Sequence, residues 1–472
     1  MARRFKRQSP LDENITHEAR PWRPIRACPG RADGGIANAQ LAPGESPEVA
    51  RAVARNRLAW RLELCVLPHS MEPSIFPDSL VTANDSRILL CVLDGLGDLP
   101  GPGRAETPLE AARTPELDRV APASTFGLLE AVAAGVTPGS GPGHLSLFGY
   151  APERYIVGRG VLSALGVDFP LQPGDVAARF NFCTLRDGVI TDRRAGRLGT
   201  DVNRRLVTRL RSLRAPGDVQ LFWETEAEHR GLLVARGRDL SAQLTDSDPQ
   251  GLGRPPLEVK ASQREAEASA RLFNQILKGA TDLLAGEPQA NGLLVRGFAS
   301  LPDWPSFDSR YGLRSQAVAK YPMYRGVARL VGMNVLEPYG DLPEAVERLR
   351  SCWAAGQFFF LHFKDTDKAG EDGDFDRKVE AIERFDRIVP DLLALGPDVL
   401  AVTGDHSTPV AMKGHSWHPV PALLWAPKTV RPDRLSHFGE SACRTGGLGL
   451  RPMSQFMSLL LAHAGRLTKY GA

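Results

Sequence analysis

The sequence predicts an α/β protein: a mainly parallel sheet flanked by helices, interrupted by a smaller inserted α/β domain. Three observations lead there. Continuous apolar runs of strand length end in acidic residues at "RILLCVLDG" (87–95), "QFFFLHFKDTD" (357–367) and "DVLAVTGDH" (398–406). Between such runs lie stretches with apolar residues at helical spacing. The middle of the chain has shorter strand-like runs and frequent basic residues.

The first run, with no polar alternation, suits a strand covered on both faces, as in a parallel sheet. The 357–367 and 398–406 runs repeat the pattern, and "PALLWAP" (421–427) reads as a fourth such strand. "PEAVERLRSCWAAG" and "KVEAIERFDRIVPDLLALG" read as helices between them, so strand and helix alternate as a parallel sheet requires. In the middle, "DVQLFWE", "GLLVARG" and "NGLLVRG" read as short strands and "REAEASARLFNQILKG" (264–279) as one amphipathic helix. The expected division is a core of 86–175 and 326–472 around an insertion of 176–325. Residues 1–85 differ from the rest. They open "MARRFKRQSP", continue rich in Arg, Pro and Gly, and lack the apolar centre of a secretory signal. They read as a disordered extension or as sequence ahead of a true start at Met71.

At 472 residues, with 58 basic against 55 acidic side chains, the chain is too evenly charged to suggest nucleic acid or a membrane as partner. No apolar run approaches the roughly 18 residues of a membrane span. Six cysteines without a C-x-x-C pair exclude a zinc knuckle or a redox motif and suit a reducing cytoplasm. A homo-oligomer is left open.

"TPGSGPGHLSLFGY" (137–150) resembles a nucleotide cradle until its spacing is checked. It has no lysine, which excludes a P-loop, and its G-x-G-x-G is not the dinucleotide G-x-G-x-x-G. As a bare turn it would only start a helix near His144. Three strand ends change the reading. Asp94, Asp367 and Asp405-His406 all follow predicted strands, and ligands of open parallel sheets bind beyond those ends. Carboxylates gathered there repel one another unless a cation sits between them, and Asp with His suits Mn²⁺, Mg²⁺ or Zn²⁺.

"DGLGD" (94–98), "PGSGPGHLSLFGY" (138–150), "DRRAGR" (192–197), "YPMYRG" (321–326), "DKAGEDGD" (367–374), "TGDHSTP" (403–409) and "GHSWHPVP" (414–421) occur in that order. As an ordered set, spanning about 87–465, they resemble the cofactor-independent phosphoglycerate mutases, in the archaeal-type branch of the alkaline phosphatase superfamily. The resemblance implies an alkaline-phosphatase-like core. It implies interconversion of 3- and 2-phosphoglycerate in glycolysis and gluconeogenesis, through a phosphoserine and two divalent ions, without bisphosphoglycerate. It makes Ser140 the nucleophile. Asp94, Ser140, Asp405 and His406 would hold one ion, and Asp367, Glu371 and His415 the other. His144 would contact phosphate or substrate. Arg193, Arg194, Arg197 and Arg230 would hold the phosphoglycerate, with Arg325 a weaker candidate. Two departures stand out: Gly141-Pro142-Gly143 replaces the family's Asp-Thr-Ala run, and Glu371 replaces a histidine. A serine hydroxyl becomes a competent nucleophile when a dication lowers its pKa. The glycine-rich turn and the following helix N-terminus favour an anion at the same place. Two rival readings remain: a metal-dependent phosphatase or phosphonate hydrolase on the same scaffold, and a non-catalytic binder of phosphometabolites.

Overall fold

Six consecutive buried residues make β1 (Ile88–Leu93) the inner strand on which the main sheet is organised. The computed structural model describes residues 78–101 and 103–471. The expectations for Met71 and for most of 1–85 lie outside these residues, as do Cys28 and Cys65. The remaining strands are β2 (Ser124–Glu130), β3 (Val176–Arg186), β4 (Val189–Asp192), β5 (Gln220–Ala227), β6 (Arg230–Arg236), β7 (Gly292–Ala299), β8 (Ser315–Val318), β9 (Asn334–Val335), β10 (Phe358–Phe363), β11 (Val399–Thr403), β12 (Val420–Trp425) and β13 (Gly449–Pro452). The main sheet has the order β13-β2-β12-β11-β1-β10-β8-β9.

Side chains of β1 alternate between two cores, as the period of a strand requires. Ile88, Leu90 and Val92 join one with Phe358 and Phe360 of β10, while Leu89, Cys91 and Leu93 join the other with Phe359, Leu361 and Phe363. Each such side chain contributes roughly 1.5–3 kcal/mol by leaving water. Helices cover the second face through Ala345, Val346 and Leu349 of Leu342–Cys352 and Ala381, Ile382 and Phe385 of Phe375–Asp386.

Two expectations shift. β12 runs antiparallel to its neighbours β11 and β2, unlike the parallel run of β11, β1, β10 and β8. A parallel step needs a crossover, usually helical, whereas the 404–419 link is a loop that carries site residues and turns straight back. The chain also rejoins the main sheet before residue 326, because β8 (Ser315–Val318) already pairs with β10.

The insertion has its own core. Its sheet, β4-β3-β6-β5 with β7 also on β3, is antiparallel throughout. It is therefore a helix-covered antiparallel sheet rather than a parallel α/β unit. The cause is local: β3 and β4 are joined by Asp187-Gly188, both at positive φ (51° and 76°), a tight hairpin turn. Helices Thr200–Leu210 and Glu267–Leu284 cover it with Leu206, Val207, Leu210, Phe273, Ile276 and Leu284.

Candidate metal and phosphoryl-transfer site

The register Leu93↔Phe363 and Val92↔Thr403 brings the C-terminal ends of β1, β10 and β11 side by side. The residues that follow are Asp94, the Asp365–Asp372 helix carrying Asp367, and Asp405-His406, so three acids reach one edge of the sheet. Asp94, Asp367, Asp405 and His406 are fully buried. Gly95, at φ 62°, makes the turn after Asp94, and a Cβ there would lie 2.7 Å from Asp367 Oδ1. No other residue permits that approach.

Ser140 begins the Ser140–Leu147 helix and is half-buried, its Oγ 3.2 Å from His406 Nε2. Gly143, one turn on, lies against the Asp405 backbone so closely that a Cβ would overlap it. That contact accounts for one of the glycines in the loop. His406 Nε2 also lies 3.4 Å from Asp94 Oδ1 and 3.2 Å from Asp405 Oδ2. Its Nδ1 faces the Thr408 hydroxyl at 3.0 Å, and that hydroxyl donates to Asp367 Oδ1 at 2.5 Å. With its only proton committed to Asp367, the Thr408 oxygen accepts from His406 Nδ1. The Nε2 lone pair is then directed at Asp94, Asp405 and Ser140.

Two groups of side chains present ligand atoms close enough to share an ion: Asp94, Asp405 and His406, and Asp367, His406 and His415. The first fits a divalent cation well. Asp94 Oδ1 is buried and has no hydrogen-bond partner among the described residues, a costly arrangement unless a cation meets it, and Asp405 Oδ2 lies close by, beside the His144 and His406 rings. In the second, His415 Nε2 is 3.7 Å from Asp367 Oδ1, and its ring stacks on His406 at 3.7 Å between centroids. Thr408 engages Nδ1 of His406, so Nε2 is the His406 atom that faces the first group.

Glu371 is not brought to either group. It is exposed, while Asp367 one turn earlier is buried. At roughly 100° per residue, the buried side of this helix is the one bearing Thr366, Asp367 and Gly370, and Glu371 turns away with Lys368 and Asp372. His144 also departs from expectation. It is fully buried, with Nδ1 2.8 Å from the Ser140 carbonyl and 3.1 Å from Asp405 Oδ2. It supports Asp405 from behind instead of facing the half-exposed side of Ser140. Burial pushes the His144 pKa down, but Asp405 and Asp94 outweigh burial and raise it. Burial likewise works against the Asp94 carboxylate, yet His362, Lys364 and His406 hold it well below the usual range.

Sequence reasoning overlooked three neighbours. His362, in the middle of the buried strand "FFFLHF", places Nε2 3.0 Å from Asp94 Oδ2 and stacks on Tyr324. A histidine inside an otherwise apolar strand was the available signal. Lys364 spans Asp94 and Asp367 at 3.2 and 2.5 Å. Thr408 is the third, and nothing in "TGDHSTP" distinguishes it from Ser407.

The insertion carries a second feature. A cavity of about 360 Å³ is lined by Arg159, Arg179, Arg193, Arg194, Arg197, Arg230 and Arg296, with Asn181, Glu228 and His229. The four arginines expected to hold substrate lie together there. Arg193 is clamped on Asp248 at 2.6 and 3.1 Å, and Arg179 bonds Glu226 at 2.9 Å. Burial lowers the Arg179 pKa against the pull of Glu226, and the guanidiniums of Arg230, Arg159 and Arg296 add to the lowering. Arg325 is elsewhere, buried and bonded to the Leu336 carbonyl. The cavity adjoins the nucleophile through one helix. Gly141 lies against Leu162, where a Cβ would sit 3.1 Å from the leucine side chain, and Arg159 opens the same helix, Arg159–Gly166.

Comparison with known proteins identifies the family. Residues 121–290 match the family model described as 2,3-bisphosphoglycerate-independent phosphoglycerate mutase. The chain is similar to a probable 2,3-bisphosphoglycerate-independent phosphoglycerate mutase of Thermus thermophilus, 49% identical over 405 residues covering 84% of this chain and 100% of the relative. A probable mutase of Deinococcus radiodurans is 48% identical over 401 residues, covering 83% and 98%. Among solved structures, the cofactor-independent phosphoglycerate mutase of Thermoplasma acidophilum superposes with a TM-score of 0.66 at 32% identity, covering 80% of this chain and 100% of that one. Likeness of this extent means that the chain belongs to the 2,3-bisphosphoglycerate-independent phosphoglycerate mutase family.

Proposed function

We propose that this chain interconverts 3-phosphoglycerate and 2-phosphoglycerate through a phosphoserine at Ser140. The observation that carries this reading is the half-buried Ser140 hydroxyl, 3.2 Å from His406 Nε2, beside the grouped Asp94 and Asp405 carboxylates, of which Asp94 Oδ1 has no hydrogen-bond partner among the described residues. Asp94, Asp405, His406 and Ser140 would hold one divalent ion, and Asp367 with His415 would contribute to a second. Bound there, such ions would lower the hydroxyl's pKa and offset charge on the phosphoryl group.

Ser140 Oγ bonds to phosphorus as the bond from phosphorus to the C3 oxygen breaks, and the serine proton ends on that glycerate oxygen. The glycerate then turns. Its C2 hydroxyl bonds to phosphorus, the Oγ–P bond breaks, and the serine regains a proton. Between the two halves the glycerate must not leave, and guanidiniums are suited to hold its carboxylate in two-point contact. Arg194, Arg197 and Arg230 are the candidates, since Arg193 is already committed to Asp248. Asn181, Arg159 and Arg296 are also part of the wall.

With Glu371 exposed, the ligand set loses a negative charge and with it one argument for Mn²⁺ or Mg²⁺ over Zn²⁺. We also place the reaction in a reducing cytoplasm and in glycolysis. The four described cysteines are free and buried, and among the described residues no helix is long and apolar enough to cross a membrane. To test the reading, 3-phosphoglycerate is supplied with Mn²⁺ while 2-phosphoglycerate and free phosphate are followed together. We expect 2-phosphoglycerate without phosphate, silenced by EDTA and restored by Mn²⁺. Phosphate released in step with substrate loss would make the protein a hydrolase, and full activity after exhaustive chelation would remove the metals from the account.

A further inference from the structure

Lys378 is a lysine with no contact to solvent. It projects from the Phe375–Asp386 helix, and its Nζ lies 2.7 Å from Asp98 Oδ2, 2.8 Å from the Gly95 carbonyl, 3.0 Å from the Thr408 carbonyl and 3.4 Å from the Gly97 carbonyl. An ammonium has three protons, so the three short contacts use all of them. Asp98 is equally committed: its Oδ1 accepts from the amides of Leu99 (2.8 Å) and Val410 (3.1 Å). The loop after β1 carries Asp94, and the loop after β11 carries Asp405, His406 and Thr408. Lys378 and Asp98 join these two loops, and the Thr408 amide adds a bond to the Gly97 carbonyl at 3.0 Å.

A buried ion pair is a poor way to gain stability, because apolar side chains of similar volume often do as well. An apolar side chain could not, however, hold the carbonyls of Gly95 and Thr408 at a fixed separation. That separation sets where Asp94 stands relative to Asp405 and His406. It also sets where the Thr408 hydroxyl meets Asp367 and His406 Nδ1, which leaves His406 Nε2 free for Ser140 and the two carboxylates.

We infer that Lys378 and Asp98 are positioning residues, a buried clamp that fixes the spacing of the two loops bearing the ion-binding side chains. The inference rests on the metal reading of this site. It predicts that loosening the clamp weakens ion binding and slows the chemical step, while the arginine cavity in the insertion continues to bind substrate as before.

Asp98→Asn tests it with the smallest change. The amide cannot serve both neighbours, because its NH₂ must face either the Lys378 ammonium or the backbone amides of Leu99 and Val410. Lys378→Met and the double variant Asp98→Asn/Lys378→Met accompany it, and the double removes both charges so that neither is left buried alone. Mn²⁺ affinity is titrated on each folded full-length variant by calorimetry, with KM and kcat for 3-phosphoglycerate measured at saturating Mn²⁺. The clamp predicts roughly 10- to 100-fold weaker Mn²⁺ binding, the range seen when partners that orient metal ligands are lost. It predicts a lower kcat at nearly unchanged KM, and no recovery of affinity in the double variant even where its melting temperature recovers. A role in stability alone predicts variants that melt earlier but bind Mn²⁺ as the wild type does, and that result would overturn the clamp. Wild-type protein that fails to bind Mn²⁺ would instead overturn the metal reading beneath it.

Discussion

The strand-end cluster and the arginine cavity carry opposite charge in opposite settings. At the cluster, Asp94, Asp367, Asp405 and His406 are buried and held by neighbours from three strands. In the cavity, Arg179, Arg230 and Arg296 stand on an antiparallel sheet, Arg193, Arg194 and Arg197 follow its strand β4 and Arg159 opens a helix; all are half-buried or exposed, and ion pairs hold Arg179, Arg193 and Arg296. A buried charge has one arrangement open to it, because each alternative leaves a polar group without a partner. A part-exposed guanidinium can turn to follow a ligand. The difference suits a division of labour in which the rigid region breaks and forms bonds to phosphorus while the compliant one keeps hold of a substrate that must reorient.

The largest effect expected from this contrast is at Ser140. On the proposed mechanism, in which Ser140 is the phosphoryl acceptor, Ser140→Ala should leave the fold intact and lower turnover beyond the ~10²–10⁴-fold typical of a lost acid–base group. A variant retaining a tenth of wild-type turnover would remove the phosphoserine from the account. Next in size is the cavity. Arg230→Met should raise KM for 3-phosphoglycerate roughly 10- to 100-fold, the worth of one charge-assisted hydrogen bond, with kcat and melting temperature little changed. A fall in kcat at constant KM would mean that the two regions do not divide the work as argued.

A smaller effect concerns pH. Glu440 is half-buried as a residue, but its carboxylate is enclosed, accepting from the Thr107 hydroxyl at 2.6 Å and the Asp98 amide at 3.1 Å. Burial pushes it up to about 7 against those bonds. Between its ordinary 4.5 and about 7, the folded protein holds a proton that the unfolded chain releases, so stability falls as pH rises through that window. Glu440→Gln should flatten this slope by on the order of 1–3 kcal/mol, read from urea unfolding at pH 4.5 and pH 8. An unchanged slope would return Glu440 to ordinary behaviour. The smallest effect belongs to Glu371, which faces solvent: Glu371→Gln should leave bound metal and Mn²⁺ affinity as in the wild type. A lost equivalent of metal would bring it back as a ligand.

Much of the main sheet was legible because continuous apolar runs of strand length such as "ILLCVL" suit a strand covered on both faces, and three of the four runs lead into Asp94, Asp367 and Asp405. The antiparallel course of β12 was not legible, since an apolar run carries no direction and only the loop before it decides. The insertion's hairpin was signalled by Asp187-Gly188 and passed over. At the site, Asp94, Asp367, Asp405, His406 and Ser140 come together as their positions after strands and at a helix start imply. Glu371 misled because spacing of four residues puts two side chains near one face only if that face is the one that packs, and Gly370 takes it. His144 misled because a histidine after a nucleophile can turn inward as easily as outward. Lys378 lies in an ordinary amphipathic helix pattern, and only the fold reveals that its ammonium ends between two loops.

The division of labour is tested most directly by asking whether the glycerate ever leaves. 3-Phosphoglycerate is turned over in the presence of isotopically labelled free glycerate at comparable concentration, and the 2-phosphoglycerate formed is examined for label. If the arginine cavity retains the glycerate while Ser140 holds the phosphoryl group, the product stays unlabelled over many turnovers. Label appearing in 2-phosphoglycerate at the rate of turnover would show that the glycerate is released in each cycle and would contradict the account.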